Sequence, residues 1–214
     1  MKLPKTWNDI TIGQYIDLLP SAYKKFDNIE LPAYKELKRT MYTLSILSGK
    51  STEDIKDLPK DFIEKRGGEL SFLNELPSSH YKATFKLNGV RYRVEPNANK
   101  MSAGSYITTM HLFQDLANDP EKIEKNLHII LAQVVQPIKR KGFKWVNYEI
   151  DRMKIAEDFY NGLSMDVAYP ICVFFCQLSK HLTPIIEDYS TKTLKRTMKE
   201  LTQMEKDLKS GDGL

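Results

Sequence analysis

The sequence predicts a mainly α-helical fold that contains one β-hairpin, and three observations lead to this prediction. Apolar residues recur at helical spacing along most of the 214-residue chain. One central segment instead alternates apolar and polar residues on both sides of an Asn-Gly pair. The composition, 41% hydrophobic and 28% charged, is ordinary for a folded domain and excludes wholesale disorder.

The first part of the chain predicts several helices with recognisable ends. A short helix spans 11–19, where Thr11 and Gln14 have the spacing of a capping box and Pro20 ends the helix. A longer helix begins at Pro32 and ends at Gly49. Ser51 then caps another short helix.

The central segment predicts antiparallel strands at about 81–87 and 90–95. Asn88 and Gly89 join them because a type I′ turn requires positive φ at both central residues. One strand face is aromatic and aliphatic, and the other is basic. The basic side chains are Lys82, Lys86, Arg91 and Arg93. The basic face has two interpretations, a nucleic-acid contact or an exposed polar surface. The alternative is an exposed ribbon that pairs or packs with a neighbour, since an isolated hairpin is only marginally stable.

Helical patterns resume after the hairpin, interrupted by one basic loop. The predicted helices cover 102–116, 120–135, 148–160, 164–180 and 190–209, and the loop covers 139–142. The chain is accordingly divided into an N-terminal helical half (1–78), the hairpin (79–97), a second helical half (98–189), and a C-terminal helix with its tail (190–214).

An internal duplication would relate the two halves. Residues 10–16 and 101–107 share the pattern apolar, Ser/Thr, any, Gly, any, Tyr, Ile. Residues 54–62 and 151–159 share an initial Asp and a final Asp-Phe. The fold would then contain two related helical halves. The alternative is coincidence between amphipathic helix starts, and the sequence leaves both open.

Catalytic, cofactor-binding and metal-binding residues are not predicted. The histidines lack the spacing of zinc ligands, and no glycine-rich phosphate loop or nucleophile elbow occurs. Cys172 and Cys176 lie in an apolar stretch and are expected to be reduced, buried core residues. With no apolar segment of membrane-spanning length and no signal peptide, we expect a soluble intracellular protein, or one assembled inside a cell.

Two sets of residues are candidates for binding macromolecules. The net charge of +4 permits an anionic partner without requiring one. The first set is a basic segment followed by an aromatic residue, and it is interpreted either as a nucleic-acid contact or as an exposed interhelical loop. Its residues are Lys139, Arg140, Lys141, Lys144 and Trp145. The second set is assigned to protein contacts and comprises hairpin residues and a narrow apolar stripe of the last helix. The alternative for this helix is docking on its own chain. The residues are Arg91 and Arg93 of the hairpin and Leu194, Met198, Leu201 and Leu208 of the stripe.

Three segments resemble proteins from the tail and neck gene region of tailed bacteriophages, in particular the crAss-like phages of Bacteroides. The first is Trp-Asn-Asp-Ile-Thr-Ile-Gly-Gln-Tyr at 7–15. The second is the hairpin at 85–92, and the third is Met-Ser-Ala-Gly-Ser-Tyr-Ile at 101–107. The resemblance covers about half of the chain.

The resemblance implies a non-enzymatic virion component without cofactors, such as a ring subunit at the head–tail connector or tail. Its partners would be portal, tail or neighbouring ring proteins, including further copies of itself, and it would be assembled in the host cytoplasm. Two alternatives remain open at this stage. One is a tail or baseplate assembly chaperone absent from the mature particle, and the other is a small nucleic-acid-binding protein.

Overall fold

The computed structural model describes residues 1–23, 25–78, 80, 82–95, 102–116 and 120–175. The chain divides after Phe174 into a first unit, residues 1–174, and a second that lies, apart from Phe175, outside the described residues. Among the predicted features, Cys176 and the apolar stripe of the last helix fall outside the described residues; the stripe comprises Leu194, Met198, Leu201 and Leu208.

The described chain is mainly helical and includes a β-hairpin, which confirms the predicted fold class. The helices are α1 (Ile12–Tyr23), α2 (Pro32–Ser48), α3 (Thr52–Lys56), α4 (Lys60–Gly68), α5 (Ala103–Leu116), α6 (Pro120–Lys125), α7 (Leu127–Val134) and α8 (Arg152–Gly162). Residues 165–175 are also helical, and 3₁₀ turns occur at Trp7–Asp9 and Ser71–Asn74. None of the described helices is long and apolar enough to cross a membrane.

The predicted capping box at the start of α1 is present. The Gln14 amide N–H donates to Thr11 Oγ1 at 3.2 Å, and the Thr11 N–H donates to Gln14 Oε1 at 3.1 Å. The predicted end of this helix is wrong, because α1 continues through Pro20 to Tyr23. The fixed φ of proline suits a helix, and α1 packs on both α2 and α8, so that tertiary contacts offset the missing backbone donor.

The other predicted ends of the N-terminal helices are confirmed. Pro32 is the first residue of α2, and Gly49 follows its last residue with a left-handed φ of 68°. Ser51 caps α3 by accepting from the Asp54 N–H at 3.1 Å. Local signals therefore placed these ends correctly, since each depends on a single residue and its immediate neighbours.

The sheet has four antiparallel strands in the order β1 (Thr84–Leu87), β2 (Val90–Val94), β3 (Val135–Lys141) and β4 (Lys144–Asn147). The predicted hairpin is β1–β2. Its turn has positive φ at both Asn88 (49°) and Gly89 (78°), and Leu87 pairs with Val90. The chain itself supplies a partner for this hairpin, because β2 pairs with β3. Contact of the hairpin with a neighbouring subunit stays a prediction.

The predicted basic loop is wrong, and so is the continuous helix at 120–135. Residues 139–144 belong to β3, a turn and β4, which form a second hairpin. The preceding helical segment is divided at Asn126 into α6 and α7, and the backbone becomes extended at Val135. A proline at 137 removes the backbone donor that a continuing helix would need, and this explains why the strand begins here. The next helix, α8, begins at Arg152 rather than 148, after its N-cap Asp151.

An aromatic cluster joins the sheet to α8. Phe159 is fully buried, and its ring centroid lies 5.8 Å from that of Phe85 and 5.1 Å from that of Tyr92. Phe85 and Tyr92 are cross-strand partners whose rings stack at 5.3 Å. These three residues therefore fix one face of the sheet, the inner face, against the helical part of the unit.

The N-terminal segment is tied to the segment that follows α8. The Ile12 N–H donates to the Leu163 carbonyl at 3.0 Å, and the Met165 N–H donates to the Ile10 carbonyl at 2.8 Å. Ile10, Ile12 and Met165 are completely buried. The start of the chain is thus part of the same core as its later helices. The Cys172 side chain is buried as well, as predicted, in the helical stretch 165–175.

Of the two pairs of segments on which the duplication hypothesis rests, one has a similar local structure in both copies and the other does not. Ser102 accepts from the Ser105 N–H at 3.1 Å, just as Thr11 caps α1, so both helix starts have a hydroxyl cap. The second pair differs in local structure, because 54–62 contains the break between α3 and α4 whereas 151–159 is continuous helix after its cap. The relation between the halves stays a prediction.

Burial of Tyr92 predicts loss of stability at high pH. Burial, followed by the charges of Asp158 and Tyr148, raises the pKa of Tyr92 to about 12 from 10.0. The folded state binds the phenol proton more tightly than the unfolded state does. The contribution of this proton to the free energy of unfolding is therefore fully present below pH ~10 and is lost as pH rises through ~12. Over this range the free energy of unfolding falls by about 1.4 kcal/mol per pH unit. Urea unfolding of wild type and Tyr92→Phe between about pH 9 and about pH 12 should show this extra slope in wild type alone. Parallel pH profiles of the two proteins would contradict the assignment.

Candidate functional site

The two basic segments identified in the sequence, 91–93 and 139–145, come together in the sheet. Strand β2 pairs with β3 through Arg91 opposite Ile138, and β3 pairs with β4 through Ile138 opposite Asn147. Side chains at paired positions of neighbouring strands point to the same side of a sheet. Residues more than 40 positions apart therefore contribute to one surface.

We call this surface the outer face, because it lies opposite the aromatic cluster. Its members, by the strand register, are Thr84, Lys86, Arg91, Arg93, Gln136, Ile138, Arg140, Trp145 and Asn147. Alternation along the strands divides the predicted nucleic-acid contact set. Arg140 and Trp145 belong to the outer face, whereas Lys139, Lys141 and Lys144 project from the other side.

Side-chain contacts agree with this assignment. The Arg91 guanidinium lies 4.7 Å from the centroid of the Trp145 ring, and the Arg93 Nη2 donates to Asn147 Oδ1 at 2.9 Å. On the opposite side, the Lys139 ammonium lies 5.3 Å from the Tyr148 ring. The outer face thus contains a cation–π pair whose tryptophan remains 48% exposed.

The outer face is predominantly positive. Its paired strand positions hold Lys86, Arg91, Arg93 and Arg140. By strand alternation the buried Glu95 follows on the same side, two residues after Arg93. No ion pair involves these four cations within the described part of the chain. Lys86 lies directly opposite Arg91, an arrangement of like charges that destabilises a sheet. A bound anion would relieve this repulsion.

The β3–β4 hairpin extends past the rest of the sheet. Strand β3 pairs with β2 only over Val135–Ile138, and Lys139–Lys141 pair with β4 instead. We call residues 139–146 the arm. Its turn has a positive φ of 61° at Gly142, as a type II′ turn requires at its first central position. The next residue, Phe143, is 98% exposed and places a large apolar side chain at the tip.

Sequence reasoning missed Gln136 and Asn147, which belong to the same outer face. The signal was the segment Lys-Gly-Phe-Lys-Trp-Val-Asn at 141–147, where a glycine separates two short runs that can alternate as strands. Its lysines made it resemble a solvated loop. A strand that extends beyond the core has polar residues on both sides, so the usual apolar alternation is absent.

The histidines and the acidic side chains of the described residues are dispersed over the fold. Among the described residues, no group of three His, Cys, Asp or Glu side chains is placed to hold a metal ion. His128 lies in contact with Tyr160, with ring centroids 5.2 Å apart, and burial lowers the pKa of its imidazole. This histidine is therefore held by packing between α7 and α8.

Comparison of this chain with known protein families, with curated proteins and with solved structures finds no match.

Proposed function

We propose that this chain is a non-enzymatic structural component of a tailed-phage virion, such as a ring subunit at the head–tail connector or tail. The sequence resemblance at 7–15, 85–92 and 101–107 supports the context. The observation that carries the proposal is the arm, which presents the 98% exposed Phe143 beyond the sheet. Repeated modest contacts around a closed ring give strong total binding.

The arm has the properties expected of a contact between subunits. Its backbone is paired on one edge and projects past β2, so it can reach a neighbour without disturbing the core. A large aromatic side chain at an exposed tip is typical of the residues that dominate interface energies. Lys141 and Lys144, paired directly beside the turn, supply a polar rim around Phe143.

Replacement of Phe143 by serine should weaken self-association without affecting the fold. The side chain makes almost no contact within its own chain, so we expect an unchanged free energy of unfolding. Loss of an aromatic anchor should cost about 2 kcal/mol of association, or roughly 30-fold in Kd. Sedimentation velocity over a concentration series measures this.

Leu76→Ser is the matched control, because Leu76 is also an exposed apolar residue, at 78%, and lies outside the arm. It should leave association unchanged. A wild-type protein that stays monomeric at its highest soluble concentration, or equal effects of the two variants, would contradict an assembly role for the arm.

Mass spectrometry of purified particles tests the virion assignment itself. A structural subunit is expected in fixed proportion to the other particle proteins. Detection only in lysates of assembling cells, and not in particles, would contradict this proposal and favour the assembly chaperone.

A further inference from the structure

We infer that the outer face of the sheet binds a single strand of nucleic acid, an activity that goes beyond the proposed structural role. Four cations from three strands meet there, and the half-exposed Trp145 lies among them. Cations arranged beside an exposed aromatic ring are the combination that holds phosphates while bases stack.

The charge pattern favours a polyanion over a neutral partner. Lys86 and Arg91 are cross-strand neighbours of the same sign, and Arg93 is two residues further along β2. The Nε atoms of Arg91 and Arg93 are buried and have no hydrogen-bond partner among the described residues. A sheet that keeps like charges adjacent loses stability, and an anion bound across them restores it.

The tryptophan favours a nucleic acid over an acidic protein segment. The Arg91 guanidinium orients the Trp145 ring at 4.7 Å, and nearly half of the residue is still exposed. An exposed, oriented ring offers a stacking platform that carboxylates do not use but bases do. Bases inside a duplex are already stacked on each other, so the surface should prefer a single strand.

Fluorescence anisotropy with labelled oligothymidylate and oligouridylate of about 16 nucleotides tests the inference. We expect binding at about 50 mM salt, with log K falling against log salt at a slope near −3, since four cations each contribute ~0.7. The surface contacts phosphates and base faces, which DNA and RNA share, so the two oligonucleotides should bind similarly. A duplex of the same length should bind less tightly.

Two double variants distinguish binding at the outer face from a general effect of net charge. Arg91→Gln with Arg140→Gln removes two cations of the outer face, and should lower affinity about tenfold or more and halve the salt slope. Lys139→Gln with Lys141→Gln removes the same charge from the other side of the same sheet and should change affinity about threefold or less. Lys86→Gln, an exposed single substitution, gives an independent check of the outer face if the first variant is unstable.

Trp145→Ala should lower affinity about tenfold through lost stacking, and wild-type tryptophan emission should be quenched on binding whereas that of Trp145→Phe should not. Absence of oligonucleotide binding by wild type, or equal losses in the two double variants, would overturn the inference. Displacement by poly-glutamate as effective as by unlabelled oligonucleotide, with no effect of Trp145→Ala, would identify an acidic protein partner instead.

The test is separable from that of the arm. Phe143→Ser should leave oligonucleotide binding unchanged, because Phe143 lies in the turn, outside the outer face. Lys86→Gln should in turn leave self-association unchanged, because Lys86 lies on β1, outside the arm. Either activity can therefore fail without the other.

Discussion

Replacement of Phe159 by alanine should lower the free energy of unfolding by about 3–5 kcal/mol, the largest effect we expect from any single substitution. The ring is completely buried and contacts both members of the stacked pair formed by Phe85 and Tyr92. Its removal forfeits the burial of a large aromatic group and leaves a cavity between α8 and the sheet. Neighbouring aromatic side chains are too rigid to fill that space fully.

Urea denaturation measures the loss, and Phe159→Leu should recover much of it because a smaller volume is lost. Met153→Ala on the same helix is the control, since Met153 is 65% exposed and should change stability by less than about 0.5 kcal/mol. Hydrogen exchange should show the amides of β1 and β2 losing protection in Phe159→Ala. A loss below about 1 kcal/mol would show that the cluster does not hold the sheet to α8.

The sequence predicted those features that local chemistry determines. Asn-Gly is one of the few pairs that tolerate positive φ at both positions of a two-residue turn, so the turn of the β1–β2 hairpin was located to the residue. The start of β1 was predicted too early, at about 81 rather than Thr84. Thr11 with Gln14 likewise determines the start of α1 through reciprocal hydrogen bonds. Neither feature depends on distant parts of the chain.

The second hairpin could not be recognised because its residues obey no core pattern. The arm lies beyond the part of β3 that pairs with β2, so both of its sides are polar and lysines occupy positions that would be apolar in a buried strand. Because β3 and β4 were not predicted, no sequence pattern placed Arg91 beside Trp145. The site depends on a pairing between residues 91 and 138, and such long-range pairing is not encoded in local periodicity.

Arg152 connects the end of α7 to the start of β3, and its loss should be the second most costly change. Its Nη1 donates to the carbonyls of Ala132 and Val135 at 2.7 and 2.6 Å, and its Nη2 donates to Gln136 Oε1 at 3.1 Å. The Ala132 carbonyl belongs to the last turn of α7, where helical carbonyls lack an intrahelical partner. Burial lowers the pKa of the guanidinium, which nevertheless stays charged at neutral pH.

Arg152→Met should therefore reduce the free energy of unfolding by about 3 kcal/mol. Methionine retains the apolar stem but leaves two carbonyls without their donor, and each unsatisfied buried acceptor costs roughly 1–3 kcal/mol. The cation also lies at the negative end of the α7 dipole, which adds to the loss. Arg152→Lys should restore only part of the stability, because a single ammonium cannot reproduce the planar fork that reaches three acceptors.

Lys154→Met is the matched control, since it removes a cation from an exposed position of the same helix and should change stability by less than about 0.5 kcal/mol. Urea unfolding at low and high salt separates the mechanisms. A charge that acts through short, partly buried hydrogen bonds should lose little of its effect at about 1 M salt, where exposed ion pairs are screened. If the cost of Arg152→Met disappeared in high salt, or did not exceed that of Lys154→Met, the guanidinium would not be the link between α7 and β3.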